Sequence, residues 1–556
     1  MILEFKLDYR SSSLVYEKIF LKTLRELSLE GRIVKEHFLL KLYVEAGKAE
    51  ALEEFATRFS QSLPHSIFLH VTEASMVDTM PKESYVLPEQ EKLPLSFCPK
   101  CFSEVMDSEH ENYYNIFTEC EACGYSVDGE RRSYKDEFEK TANLIKEGKV
   151  VELNTFYGKY FVGLPAKVCN DISFDIIAYD LATIEKYANV EKYEISALGA
   201  IEKPLVKLKK KMNFTMDFEE VEADLIRFKI SDDLILHLLI EELHKIGIDI
   251  LFMTNEKIET REGLLLLEPK EELEPIEAVV SENDIAIVSG EKGLPSFPMC
   301  TETVIPSVGS FYSVIKEHQL QDENIAGVNL SKEYKNNILV YGKKYGLVEY
   351  LSFHFEFDSM QDIFEQIVAT NETGEKIVQN YKKTYPEHFD QILKIVFEDR
   401  EFNLYKLWGV VAMVLDFAKT DDPIEAAKIL EESAMSFLGT RGPRIDYKLL
   451  SIEGKVHLDP LMTIRTAMSF KLAGIDQLTL CYGVIESFLE FIANELDEVK
   501  QSMDITAVAA TGSLLGNKHF FSKMSKEIVV NYPIYFNNEL PVDGRNMFYG
   551  GTSLDK

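Results

Sequence analysis

The chain has 556 residues, with 93 acidic against 60 basic side chains, a net charge of −33 and 46% hydrophobic residues. That length exceeds what one hydrophobic core organises and points to three or four domains, while the composition is that of a globular protein. So negative a field repels phosphate backbones and anionic membranes, which argues against a nucleic-acid partner, and the longest apolar run, LWGVVAMVL at 407–415, is too short for a membrane span.

The opening MILEFKLDYR carries carboxylates at positions 4 and 8 and has no basic stretch followed by an apolar core, so no secretory signal is expected. A cytoplasmic, reducing location follows, where paired cysteines are metal ligands rather than disulfides. Residues 1–78 alternate amphipathic helices (SLVYEKIFLKTLRELSLEG, KAEALEEFATRFSQSL) with strand-like runs (HFLLKLYVEAG, HSIFLHVTEA), which predicts a small α+β domain punctuated by Gly31 and Gly47. The polar stretch 79–96, with three prolines, reads as a linker.

Residues 97–132 hold four of the seven cysteines. Cys98 and Cys101 form one CxxC pair and Cys120 and Cys123 another, with 18 residues between the pairs. Each CxxC turn sets two thiolates at the spacing that one tetrahedral Zn(II) takes, and four sulfur ligands leave no open position, so the expected zinc is structural. So short a segment has too little core to fold without its metal. Pro99 and Gly124 suit the turns, Tyr113, Tyr114 and Phe117 supply apolar cover, and His110 reads as loop rather than as a fifth ligand. Cys169, Cys300 and Cys481 are isolated and read as buried small hydrophobes.

From Ser133 a helix is expected, with Ser133 as its cap, Asp136 completing a capping box and Gly148 closing it before the strand VVEL. An α/β region follows to about 315. Within it KPLVKLKKK (203–211) has five lysines in nine residues, either a solvated face or a phosphate or adenylate site, and GIDILFMT (247–254) reads as a buried strand. The stretch with Pro295, Pro298 and Pro306 marks a further boundary. Beyond 322 the pattern is again α/β, with helices expected at 359–383, 423–437, 461–474 and 481–500, and AVAATGS (507–513) as a strand entering a turn.

FCPKCFSEVMD…YYNIFTECEACG resembles the zinc-finger region of HypF, the carbamoyltransferase of [NiFe]-hydrogenase maturation, down to the 18-residue gap. That resemblance implies a module order of acylphosphatase-like domain (1–78), linker (79–96), zinc-finger segment (97–132), YrdC-like domain (133–315) and TsaD-like, ASKHA-type domain (322–556). IEKPLVKLK is similar to the family's basic adenylate-site segment, which implies Lys203 and Lys207 as nucleotide contacts, and LFMTN to its later strand end, which implies Thr254 and Asn255. AATGSLLGNKHFFSKM and PVDGRNMFYGG are similar to the glycine turn and terminal Asp-Gly segment of the last domain. They imply Gly512, Ser513, Asn517 and Asp543 as a degenerate nucleotide site. Asp543 matches the family's terminal metal-binding aspartate, and Gly512, Ser513 and Asn517 suit an anion at a helix N-terminus.

The departures fall on chemistry. The acylphosphatase arginine position is near Glu17, where a carboxylate repels an acyl phosphate. The helix that carries metal-binding histidines in active relatives matches LYKLWGVVAMVLDF (404–417), which has none, with Lys406 and Trp408 at about the ligand positions. The Gly-rich phosphate motif downstream is replaced by FAKTDDPIEAAKILEES, and a second zinc finger is missing. The resemblance therefore implies a shortened, catalytically degenerate HypF-like member. Its expected role is to bind a hydrogenase subunit or maturation partner rather than to transfer carbamoyl groups with ATP. A divergent carbamoyltransferase is the alternative, and a tRNA-modifying relative is disfavoured by the charge.

Overall fold

The computed structural model describes residues 1–88, 95–120, 123–165, 172–260, 262–269, 272–452 and 455–553. Cys169 and residues 89–94 of the expected linker lie outside them. The chain divides into two compact units, Met1–Ala278 with Ser289–Ser296, and Val279–Val288 with Phe297–Lys556. The second division falls in the proline-rich stretch, and the helix Pro306–Glu317, which sequence grouped with the preceding region, packs in the second unit.

In the first unit, Ile2–Tyr9, Glu30–Glu36, Leu39–Glu45 and Leu69–Val77 form an antiparallel four-stranded sheet with Ile2–Tyr9 between Leu39–Glu45 and Leu69–Val77. Alternation puts Phe5 and Leu7 under the helices Val15–Leu27 and Ala49–Ser62, whose Phe20, Phe55 and Phe59 close the core. An eight-stranded mixed sheet follows, with Gly158–Gly163, Ile250–Thr254, Asp175–Ala178 and Leu225–Ile230 as its middle strands. Every residue of Ile250–Thr254 is buried, as a strand covered on both faces requires. The preceding helix, Leu234–Lys245, starts where Asp233 accepts the Ile235 N–H at 2.8 Å.

The cap expected at Ser133 is not there. The helix runs Lys135–Lys146 behind Tyr134, so the cap position falls one residue past Ser133 on a ring that packs against Phe117 and has no short acceptor to offer. Gly148, at φ +81°, ends it as expected.

The second unit is built on a seven-stranded sheet in which Ala507–Thr511 runs parallel to Ile325–Asn329, Val328 opposite Ala510. The expected helix at 359–383 is two helices, Met360–Thr370 and Glu372–Thr384. Asn371 separates them: it is extended, and its side chain accepts the Gly374 N–H at 3.0 Å, starting the second helix. The other expected helices are present as Pro423–Ser436, Pro460–Leu472 and Gln477–Met503. Among the described residues no helix is long and apolar enough to cross a membrane.

Candidate metal centre and nucleotide cradles

The four cysteines of the two CxxC pairs converge. Their Sγ atoms all lie within 4.8 Å of one another, with Cys98–Cys101 and Cys98–Cys120 at 3.8 Å and Cys101–Cys123 at 3.7 Å. A tetrahedron of sulfurs around zinc at about 2.3 Å has edges of about 3.8 Å, so the cage has the size of a Zn(II) thiolate site and is far too open for disulfides. Two local features build it. Pro99 is the first residue of the helix Pro99–Met106, which carries Cys101 one turn after Cys98. Gly124 takes φ +78°, the left-handed turn that bends the second pair back.

The cage is buried and anchored. Tyr114 packs against Tyr113 and Phe138 and donates its hydroxyl to Glu242, which also pairs with Lys245. His237, on the same helix Leu234–Lys245, lies between Phe97 and Phe102 with ring centroids 5.1 and 5.0 Å away. The cysteine segment is thus fastened to the helix that leads into the buried strand Ile250–Thr254. His110 stands outside the cage, its Nδ1 accepting the Asn112 N–H at 3.1 Å. Cys481 is buried as expected, whereas Cys300 is half-exposed near Gly551, a correction to its reading as core.

In the N-terminal domain Glu17 is wholly buried and pairs with Lys35 at 3.0 Å. Glu17, which the resemblance sets near the acylphosphatase arginine position, therefore serves helix-to-sheet packing.

The lysine-rich segment spends its charge on its own backbone. Lys203, at φ +48°, donates to the Gly199 carbonyl at 3.1 Å, and Lys210 and Lys211 donate to Val221 and Glu185 carbonyls at 2.7 and 2.5 Å. Burial pushes the Lys203 ammonium down to about 8. Lys207 lies in the strand Val206–Lys210. Neither Lys203 nor Lys207 lines the nearby cavity of about 470 Å³, which does include Thr254 and Asn255 together with Tyr157, Tyr160, Asp175 and Arg227. Thr254 donates to the Ser173 carbonyl at 2.7 Å, and Arg227 is held by Asp175 and Glu277 at 2.7 and 3.2 Å. Sequence reasoning missed Arg227, which sits between two carboxylates distant in the chain.

The C-terminal cradle does come together. Gly512 adopts φ +110°, and a Cβ there would collide with the Leu330 carbonyl, so only glycine fits. The Ser513 N–H and O–H both donate to Asp543 Oδ2 at 2.9 and 2.7 Å. Gly544 N–H donates to the other oxygen at 2.9 Å, and Asn517 caps the helix Lys518–Val529 by accepting the Phe520 N–H. Lys332 closes the other side. Its N–H donates to Ser513 Oγ at 2.9 Å, and its ammonium grips Glu431 at 2.7 and 2.9 Å. A separate small pocket of about 10 Å³ lies beside Gly512 and Asp543, lined also by Asn329, Leu330, Tyr334 and Lys335.

The helix Leu404–Val414, which the resemblance sets at the family's metal-binding helix, is core. Trp408 is buried, with its Nε1–H on the Tyr447 hydroxyl at 3.1 Å, and Lys406 pairs with Asp399.

Glu317 holds the segment before Asp543, accepting from Asn537 Nδ2 and the Asn538 and Glu539 N–H groups at 2.8–3.0 Å. Burial nonetheless lifts its carboxyl from 4.5 to about 7. The folded state then keeps a proton that the unfolded state gives up between about pH 4.5 and 7, so stability falls as pH rises through that window. Thermal unfolding of the wild type followed from pH 4.5 to 7.5 should show this decline, and Glu317→Gln should flatten it while lowering stability throughout.

No family model matches the chain. Protein HydE of Wolinella succinogenes is 26% identical over 518 residues, covering 90% of this chain and 92% of that protein. The crystal structure of full-length HypF in its phosphate- and nucleotide-bound form superposes over 99% of this chain and 97% of its own, with a TM-score of 0.66 at 13% identity. The HypF of T. kodakarensis covers 100% and 99%, with a TM-score of 0.69 at 12% identity. The chain has the HypF fold. The HypF-like architecture extends from the N-terminal sheet to the terminal Asp-Gly segment, so the α/β and α+β modules expected from the resemblance are present in one chain.

Proposed function

We propose that this HypF-like chain is a cytoplasmic accessory protein of [NiFe]-hydrogenase maturation, a zinc-stapled scaffold that binds a hydrogenase subunit or maturation partner and does not transfer carbamoyl groups. The observation that carries this reading is the self-filled cradle at Ser513. Phosphoryl and carbamoyl-adenylate chemistry relies on free backbone donors and positioned cations. Here the Ser513 donors are committed to Asp543, and the ammonium groups of Lys332 and Lys335 to Glu431 and Glu349. Full-length HypF binds phosphate and nucleotide in its crystal structure; in this chain the Ser513 donors are held by Asp543.

Purified, zinc-loaded protein is expected to show no carbamoyl-phosphate-dependent cleavage of ATP to AMP and pyrophosphate, and affinity capture from the native host is expected to recover hydrogenase subunits or maturation proteins. Robust turnover in the first assay would refute the scaffold reading. It would favour the alternative of a divergent ATP-dependent carbamoyltransferase, whose support is the cavity beside Thr254 and Asn255, of a size that holds a small ligand.

A further inference from the structure

We propose that the strand Leu69–Val77 pairs, edge to edge and antiparallel, with the same strand of a second copy of this chain. The two edges of the N-terminal sheet are treated differently. The outer strand Glu30–Glu36 is covered by the chain itself: Tyr85 N–H donates to the Ile33 carbonyl at 2.6 Å, Ile33 N–H to Ser84 Oγ at 3.1 Å, and Arg32 reaches the Lys82 carbonyl. The opposite strand, Leu69–Val77, pairs with Ile2–Tyr9 along its whole length, and among the described residues nothing pairs with its outer edge. Its seven central residues are exposed, Val71 by 51% and Met76 by 56%.

Exposed edges are ordinarily guarded by lysine, proline, a bulge or shortness. LHVTEASMV is nine residues long, contains neither lysine nor proline, and has one charge, Glu73. Its only irregularity lies at the far end, opposite Asp8 and Tyr9. An unguarded edge of this length is a pairing surface.

Charge and register select the occupant. Residues 1–77 carry ten basic and eleven acidic side chains in a chain of net charge −33, so this domain is where two copies meet with little repulsion. Antiparallel self-pairing about a two-fold axis at Ala74 sets Val71 opposite Val77, Thr72 opposite Met76 and Glu73 opposite Ser75, with no like charges facing. Centring on Glu73 would oppose the two carboxylates. The Ala74 register joins the two four-stranded sheets into one continuous sheet.

Sedimentation velocity on the full-length zinc-loaded protein, from about 1 to 100 µM, tests this. The expected species has twice the 63.7 kDa chain mass. Val71→Lys should return it to the single-chain mass with unchanged zinc content and far-UV circular dichroism. Because the axis passes through Ala74, Ala74→Cys should form a reducible cross-linked dimer under mild oxidation, beyond the background of the wild type, while Ser75→Cys should not. A wild type that stays at the single-chain mass overturns the proposal and leaves the edge to an extended segment of another protein. So does a dimer that survives Val71→Lys and fails to cross-link at position 74, since it then uses another face.

Discussion

Cys98→Ser is expected to strip the metal from the cage and to unfold the zinc segment. The wild type should bind close to one zinc per chain. Structural zinc in small thiolate sites contributes on the order of 10–16 kcal/mol of apparent binding free energy, all of which is available to folding because no such cage exists in the unfolded chain. The loss will not stay local. Tyr114 and Phe102 tie the segment to Glu242 and His237 on the helix Leu234–Lys245, so limited proteolysis should open both the zinc segment and this helix in the variant. Metal analysis and thermal unfolding check the result, and a zinc-free protein of full stability would refute the staple.

Trp408→Ala should produce the next largest effect, this time in the second unit. The indole is buried against Phe488 and Phe520, with centroids 6.0 and 6.4 Å away, and its N–H is satisfied by Tyr447. Removing so large a buried ring costs about 3–5 kcal/mol, the transfer term plus that of the cavity left behind. Far-UV circular dichroism in a denaturant titration should show one of two transitions moving to lower denaturant, the zinc content staying intact. If the helix had instead been a vestigial metal site open to solvent, the same change would cost little.

Legibility followed the range of the interactions. The CxxC spacing is a short-range constraint, and it specified a cage whose sulfurs fall on tetrahedral edges. The glycine turn at Gly512 was legible for the same reason, since its backbone excludes a side chain. Local competition defeated other readings. Ser133 has the chemistry of a cap, but the packing of Tyr134 against Phe117 decides where the helix begins. Asn371 sits in an amphipathic stretch that reads as one helix, and its side chain's bond to Gly374 N–H breaks it in two. Five lysines in nine residues suggest an anion site, yet the ammonium groups of Lys203, Lys210 and Lys211 end on main-chain carbonyls that the linear order gives no means of foreseeing.

By itself the sequence determined the four-cysteine cage, the HypF-like fold and the absence of histidine from Leu404–Val414, because each is written in residue identity and close spacing. Only the tertiary structure decided that Asp543 fills the Ser513 cradle and that Lys332 is bound to Glu431. Those pairs join residues 30 and 99 positions apart, and which donor meets which acceptor across such distances is set by the sheet that carries them, not by any local pattern.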